Sequence, residues 1–245
     1  MRNDLPVTGL VSAILKYVGQ RQLLKEENRW GAESGAPPGR LLGGGALLPP
    51  SSKLVSNCDS VRRFSSSQLY YVGGVTIEDW GGARGGAVCP SPLVDRYCLE
   101  TRTWHPAPPL DTPRSSPGLA VVAERLWVLG GLRGRTMLSS CCWLAAGGDS
   151  WVEAAPLPRP VSYFSLARLG RQLWLVGGIG PDYQARADTL VLDTETGGWR
   201  EGPPLNTPRR AAFAFVYNDA IYVCGGTDSR LKYLDTTERL APHEG

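Results

Sequence analysis

The sequence predicts an all-β fold built from repeats of one short module, and three observations support it. Glycine and proline make up 50 of the 245 residues, 30 and 20 respectively, well above ordinary usage, so tight turns are favoured over long helices. One hexapeptide pattern recurs four times, as LYYVGG at 69–74, LWVLGG at 126–131, LWLVGG at 173–178 and IYVCGG at 221–226. A tryptophan (Trp104, Trp151, Trp199) stands 26 positions ahead of each of the last three glycine pairs. The pairs themselves are 57, 47 and 48 residues apart. A constant half-unit with a variable remainder describes a rigid element joined by loops of adjustable length.

In chain order, residues 1–28 come first. Apolar positions 10, 11, 14, 15 and 18 have helical spacing, which predicts a short amphipathic helix. The apolar run over 7–18 contains Lys16 and is too short to cross a bilayer. No small-residue cleavage site follows it, so a cytoplasmic chain without a signal peptide is expected. Residues 29–56 are rich in Gly, Pro and Ser and read as a flexible linker. The repeat region is assigned to 57–245.

Within each repeat, two apolar runs flank a tight turn, as in 119–122 and 126–129 around Glu124-Arg125, or 213–217 and 221–224 around Asn218-Asp219. The runs are continuous rather than alternating, which indicates strands covered on both faces. The glycine pair that ends the second strand suits a positive φ or a close backbone approach. A third strand follows, as at 189–193; the tryptophan opens a fourth, and prolines end it. Four strands in about 47 residues is the size of a propeller blade.

A glycine pair, a third-strand Tyr-Asp-like position, a Trp and then Pro with Arg resemble the kelch repeat. The third-strand matches are Tyr97 through Trp104, Val191–Asp193 through Trp199, and Tyr233 through Asp235, with Leu240 where a Trp is expected. Cys141, Cys142 and Trp143 replace the Tyr-Asp signature in the second unit. The proline exits carry Arg114, Arg159 and Arg209, taken as equivalent structural arginines. The resemblance implies a kelch-type β-propeller. Only about four blades are visible, fewer than related rings usually hold, which leaves a small ring or a piece of a larger protein.

The remaining chemistry is sparse. Lys and Arg number 26 against 23 Asp and Glu, too balanced for nucleic-acid or membrane attraction by bulk charge. Six cysteines without a C-x-x-C pair make a zinc site improbable, and buried thiols in a reducing compartment are expected. No phosphate loop, H-E-x-x-H or G-x-S-x-G motif occurs, so no catalytic residue, metal or cofactor is assigned. Kelch-like copper oxidases need two converging histidines; here the two are His105, directly after Trp104, and His243, two residues from the C-terminus, a pair not expected to converge.

Function is expected in the loops that vary between equal units. The insertion at 75–94 offers Trp80 and Arg84. Corresponding loops hold Arg133, Arg135, Tyr183, Arg186 and Arg230, with Lys232 beside the last. Arginines gathered on one rim suit an acidic peptide segment of a protein partner, through forked carboxylate contacts. The resemblance further implies a substrate-recognition role for a cullin-type ubiquitin ligase, through domains absent from this chain. An actin- or cytoskeleton-associated scaffold is the alternative.

Overall fold

Nineteen strands and no helix form the secondary structure of the described residues, which in the computed structural model are 61–63, 68–78, 87–101 and 103–241. The helix expected over 1–28, the linker over 29–56, Trp80, Arg84 and His243 lie outside them.

The first sheet contains β1 (Val61–Arg63), β2 (Gln68–Val72), β5 (Val94–Cys98) and β6 (Thr103–Ala107), in the order β1-β2-β5-β6. Between β2 and β5 the expected insertion begins and ends as a hairpin, β3 (Val75–Glu78) with β4 (Ala87–Pro90). The second sheet runs β7 (Gly118–Val122), β8 (Arg125–Leu129), β11 (Cys141–Ala145) and β12 (Val152–Ala154), and a small hairpin, β9 (Leu132–Arg133) with β10 (Thr136–Met137), projects from it. The third contains β13 (Ser165–Leu169), β14 (Gln172–Val176), β15 (Thr189–Asp193) and β16 (Trp199–Gly202). The fourth has three strands, β17 (Phe213–Tyr217), β18 (Ala220–Cys224) and β19 (Thr237–Leu240). Each of these four sheets is antiparallel between sequence neighbours, so every connection within it is local.

In the fourth module the first hairpin turns as its chemistry requires. Asn218 and Asp219 take φ of 45° and 56°, the left-handed pair that matches strand twist. In the second sheet the turn lies one residue earlier than expected, at Ala123 and Glu124 (φ 48° and 55°). Arg125 is drawn into β8, paired with Val122 and Ala145. There its guanidinium lies 4.2 Å from the centroid of the Trp143 ring, a cation–π contact that the turn position would forgo.

The apolar runs face both ways, so the core lies between sheets. Tyr70, Val72 and Val94 of the first sheet meet Leu119, Leu126, Val128 and Leu144 of the second. The other face of the second sheet, with Trp127 and Leu129, meets Leu173, Leu175, Leu190 and Leu192 of the third. Trp174, Val176 and Val191 then meet Ile221, Val223 and Leu240 of the fourth. The first strands adjoin in succession, β1 beside β7, β7 beside β13 and β13 beside β17. Two of the spaced tryptophans tie sheet to sheet. Trp151 Nε1 donates to Pro108 O at 2.8 Å and Trp199 Nε1 to Ala155 O at 3.0 Å.

The glycine pairs are junctions between modules. Gly74 N donates to Arg114 O at 3.0 Å and Gly178 N to Arg209 O at 2.9 Å. At Gly177 (φ +66°) a Cβ would collide with the Arg209 carbonyl oxygen, so both the angle and the close approach require glycine. Two sequence assignments in the fourth module are corrected. Leu240 pairs with Ile221 in the third strand and is buried there; it does not occupy the tryptophan position. Tyr233 lies in the preceding loop, 81% exposed, because the register of β18 places Thr237 opposite Cys224.

Candidate functional site

The connections between second and third strands, residues 130–140, 177–188 and 225–236, all leave the same end of their sheets, opposite the hairpin turns. Neighbouring loops touch. The Tyr183 hydroxyl donates to Arg135 O at 3.2 Å, and Ala185 N donates to Ser229 Oγ at 2.9 Å. Internal turns hold each loop. Asp182 Oδ1 accepts from Gln184 N at 3.1 Å, and Asp228 Oδ1 accepts from Arg230 N and Lys232 N at 2.8 and 2.9 Å. At the apex of two loops, Tyr183 and Leu231 take left-handed backbone (φ 59° and 65°) and are 51% and 59% exposed.

These contacts bring Arg133, Arg135, Tyr183 and Arg230 onto one run of adjoining loops. Arg133, Arg135 and Arg230 are exposed and have no carboxylate within ion-pair distance among the described residues. Arg186 differs from its sequence reading as an available cation. Its Nη2 is 2.8 Å from Asp182 Oδ2, and the guanidinium lies over Gly180.

Register also corrects the set of repeat arginines. Arg114 precedes Gly130 by 16 positions and Arg209 precedes Gly225 by 16, but the residue 16 ahead of Gly177 is Val161, not Arg159. Arg114 is 3% exposed; its Nη1 donates to Gly130 O and Ser140 O, both at 2.9 Å, and its Nη2 to Ser140 Oγ at 2.9 Å. Arg209 is 0% exposed; its Nη1 donates to Gly225 O at 2.9 Å and Thr236 O at 3.0 Å, and its Nη2 pairs with Glu238 Oε1 at 2.6 Å. Arg159 instead forms a bridge at the sheet edge, to Asp188 at 3.0 Å and Glu201 at 3.1 Å.

The two buried guanidiniums sit in different fields. Beside Arg209, burial raises the Glu238 carboxyl pKa, but donation from Asn206 N, the Arg209 guanidinium and Thr207 N outweighs it and lowers the pKa below the ordinary value. At the matching place beside Arg114 stands Cys142. Burial pushes its thiol up to about 11 despite the opposing pull of Arg114, so it is no counter-ion at neutral pH. Burial correspondingly lowers the Arg114 pKa.

In the third module Val161 and Leu190 replace both partners, and a cavity of about 280 Å³ opens there, lined by Val161, Leu175, Gly177 and Leu190, with Arg159 and Arg186 also in its wall. Sequence reading missed this site. The signal was the 16-residue interval, which the nearby proline–arginine string at Pro158-Arg159 obscured.

His105 is exposed on β6, its Nε2 2.8 Å from Thr103 Oγ1. Among the described residues no group of three or more His, Cys, Asp or Glu is arranged to hold a metal, and no helix is long and apolar enough to cross a membrane.

No family model matches the chain. Over 40 residues the chain is 50% identical to an F-box/kelch-repeat protein of Arabidopsis thaliana, a stretch covering 16% of this chain and 11% of that relative.

Proposed function

We propose that residues 57–245 form a kelch-type propeller region, whole or partial, that works as a non-catalytic protein-interaction module. The partner is held on the rim formed by the loops between second and third strands. The observation that carries this is loop-to-loop bonding, Tyr183 to Arg135 and Ala185 to Ser229, which joins three separate modules into one surface. That surface bears Arg133, Arg135 and Arg230 with no carboxylate partner among the described residues. Guanidiniums free of internal pairing engage partner carboxylates in forked geometry, so an acidic protein segment is the fitting ligand. The kelch resemblance and the similarity to an F-box/kelch-repeat protein support a further step. In it the rim selects substrates for a ubiquitin ligase of the cullin type, engaged through another domain.

Affinity capture compares the wild-type chain with the triple variant Arg133→Ala, Arg135→Ala, Arg230→Ala. The variant is expected to lose the partners that wild type retains at low salt, and those partners to elute from wild type as salt rises. An unchanged set of retained proteins would remove the rim from the interaction.

A further inference from the structure

We infer that the cavity of the third module is a pocket for an arginine side chain presented by a partner segment. This rests on the interaction-module reading and adds a second, chemically distinct contact to it. The molecule itself displays the ligand. In the second and fourth modules the corresponding space is filled by Arg114 and Arg209, each donating to the carbonyl of the first glycine of its pair and to the carbonyl that opens the third strand.

The backbone around those acceptors is the same in the third module. Gly177 takes φ +66°, against +52° for Gly130 and +65° for Gly225. Its N–H donates to Asp188 O at 2.9 Å, as Gly130 N does to Ser140 O and Gly225 N to Thr236 O, both at 3.1 Å. Gly177 and Asp188 both line the cavity, while Val161 is too short to reach their carbonyls and has no donor to offer. The walls formed by Val161, Leu175 and Leu190 suit the methylene stem of arginine, and the two carbonyls suit its forked head.

The charge at the mouth is compatible with a cation. Arg159 and Arg186, both in the lining, are paired with Asp188 and Glu201 and with Asp182 respectively, so neither guanidinium stands there without a counter-ion. An incoming guanidinium meets two carbonyl acceptors among charges that are already paired. A carboxylate would meet those same acceptors with no donor of its own.

The test uses the full chain with labelled methyl groups, titrated with N-acetyl-arginine amide and, separately, its citrulline and glutamate counterparts. The arginine probe is expected to shift the Val161 and Leu190 methyl signals saturably, in the millimolar range typical of a single side chain. The uncharged citrulline probe should bind at least ten-fold more weakly. Val161→Arg, which supplies the guanidinium from within, and Val161→Phe, which only fills the space, should each abolish the shift of the Leu190 methyl signals while the remaining spectrum stays native. Absence of a saturable shift with the arginine probe, or shifts produced by the glutamate probe instead, would overturn the assignment. If the arginine probe fails while the Arg133/Arg135/Arg230 variant still loses its partners, the pocket falls and the interaction rim stands.

Discussion

Replacing Arg209 by valine removes a guanidinium that is 0% exposed and that donates to Gly225 O, Thr236 O, Thr236 Oγ1 and Glu238 Oε1. The substitution leaves the Glu238 carboxylate, whose side chain is 11% exposed, without its counter-ion. Breaking one side of a buried pair in this way destabilises by about 3–5 kcal/mol. The double change Arg209→Val with Glu238→Leu behaves differently, because it orphans no charge and reproduces the Val161–Leu190 pair that the third sheet already uses. What it still loses is the carboxylate that accepts from Asn206 N and Thr207 N, a loss of roughly 1–3 kcal/mol. Urea unfolding followed by tryptophan fluorescence reads both, as a shift in midpoint at constant slope. The double variant is expected to be more stable than Arg209→Val alone. A single variant that loses less than about 1 kcal/mol, or a double variant below it, would refute the view that this arginine is held by charge pairing.

The depressed Glu238 carboxyl gives a pH dependence of definite sign. Its stabilisation is complete above the ordinary carboxyl value of about 4.3 and is lost as pH falls through the lower folded value. Acid unfolding curves of Glu238→Gln should therefore be flatter than wild type below about pH 5. Gly177→Ala and Gly225→Ala share left-handed backbone, φ +66° and +65°, but only the former drives a Cβ into a carbonyl, that of Arg209; at Gly225 the nearest atom is Leu234 O, 3.5 Å away. The strain common to both is about 1–2 kcal/mol, and denaturation midpoints should show Gly177→Ala clearly worse. Trp174→Ala, at 0% exposure between the third and fourth sheets, should destabilise by about 3–5 kcal/mol. Trp151→Phe, which loses the bond to Pro108 O, should destabilise by only about 1 kcal/mol in the same assay.

Much of the strand framework was legible because its markers answer local physical needs. A glycine pair after an apolar strand signals positive φ and close approach, and both are present at Gly177 and Gly178. Asn218-Asp219 signals a tight turn and forms one. Errors arose where two features competed for one string. Pro158-Arg159 resembles Pro208-Arg209 in composition, but the distance to the glycine pair, not the dipeptide, decides which residue points inward. Val161 holds that place and Arg159 bridges to Asp188. Leu240 stands where the repeat pattern expects a tryptophan, whereas the register against Ile221 fixes it in the third strand.

The loop surface depends on contacts that composition does not encode. Tyr183 meets Arg135 across 48 positions of sequence, a pairing set by the packing of whole sheets. Arg186 and Asp182 are four residues apart in a loop rather than on a helix. Their pairing therefore follows from the loop's fold, with Gly180 beneath the guanidinium, and not from spacing alone.

Amide hydrogen exchange, measured on the chain alone and bound to a partner retained through Arg133, Arg135 and Arg230, tests the interaction rim most directly. Protection is expected in 132–137, 179–188 and 227–234. The hairpin turns at Ala123-Glu124, Gly170-Arg171 and Asn218-Asp219, at the opposite end of the sheets, should exchange as they do in the free chain. Protection confined to those hairpin turns, with the three loops unchanged, would contradict the account.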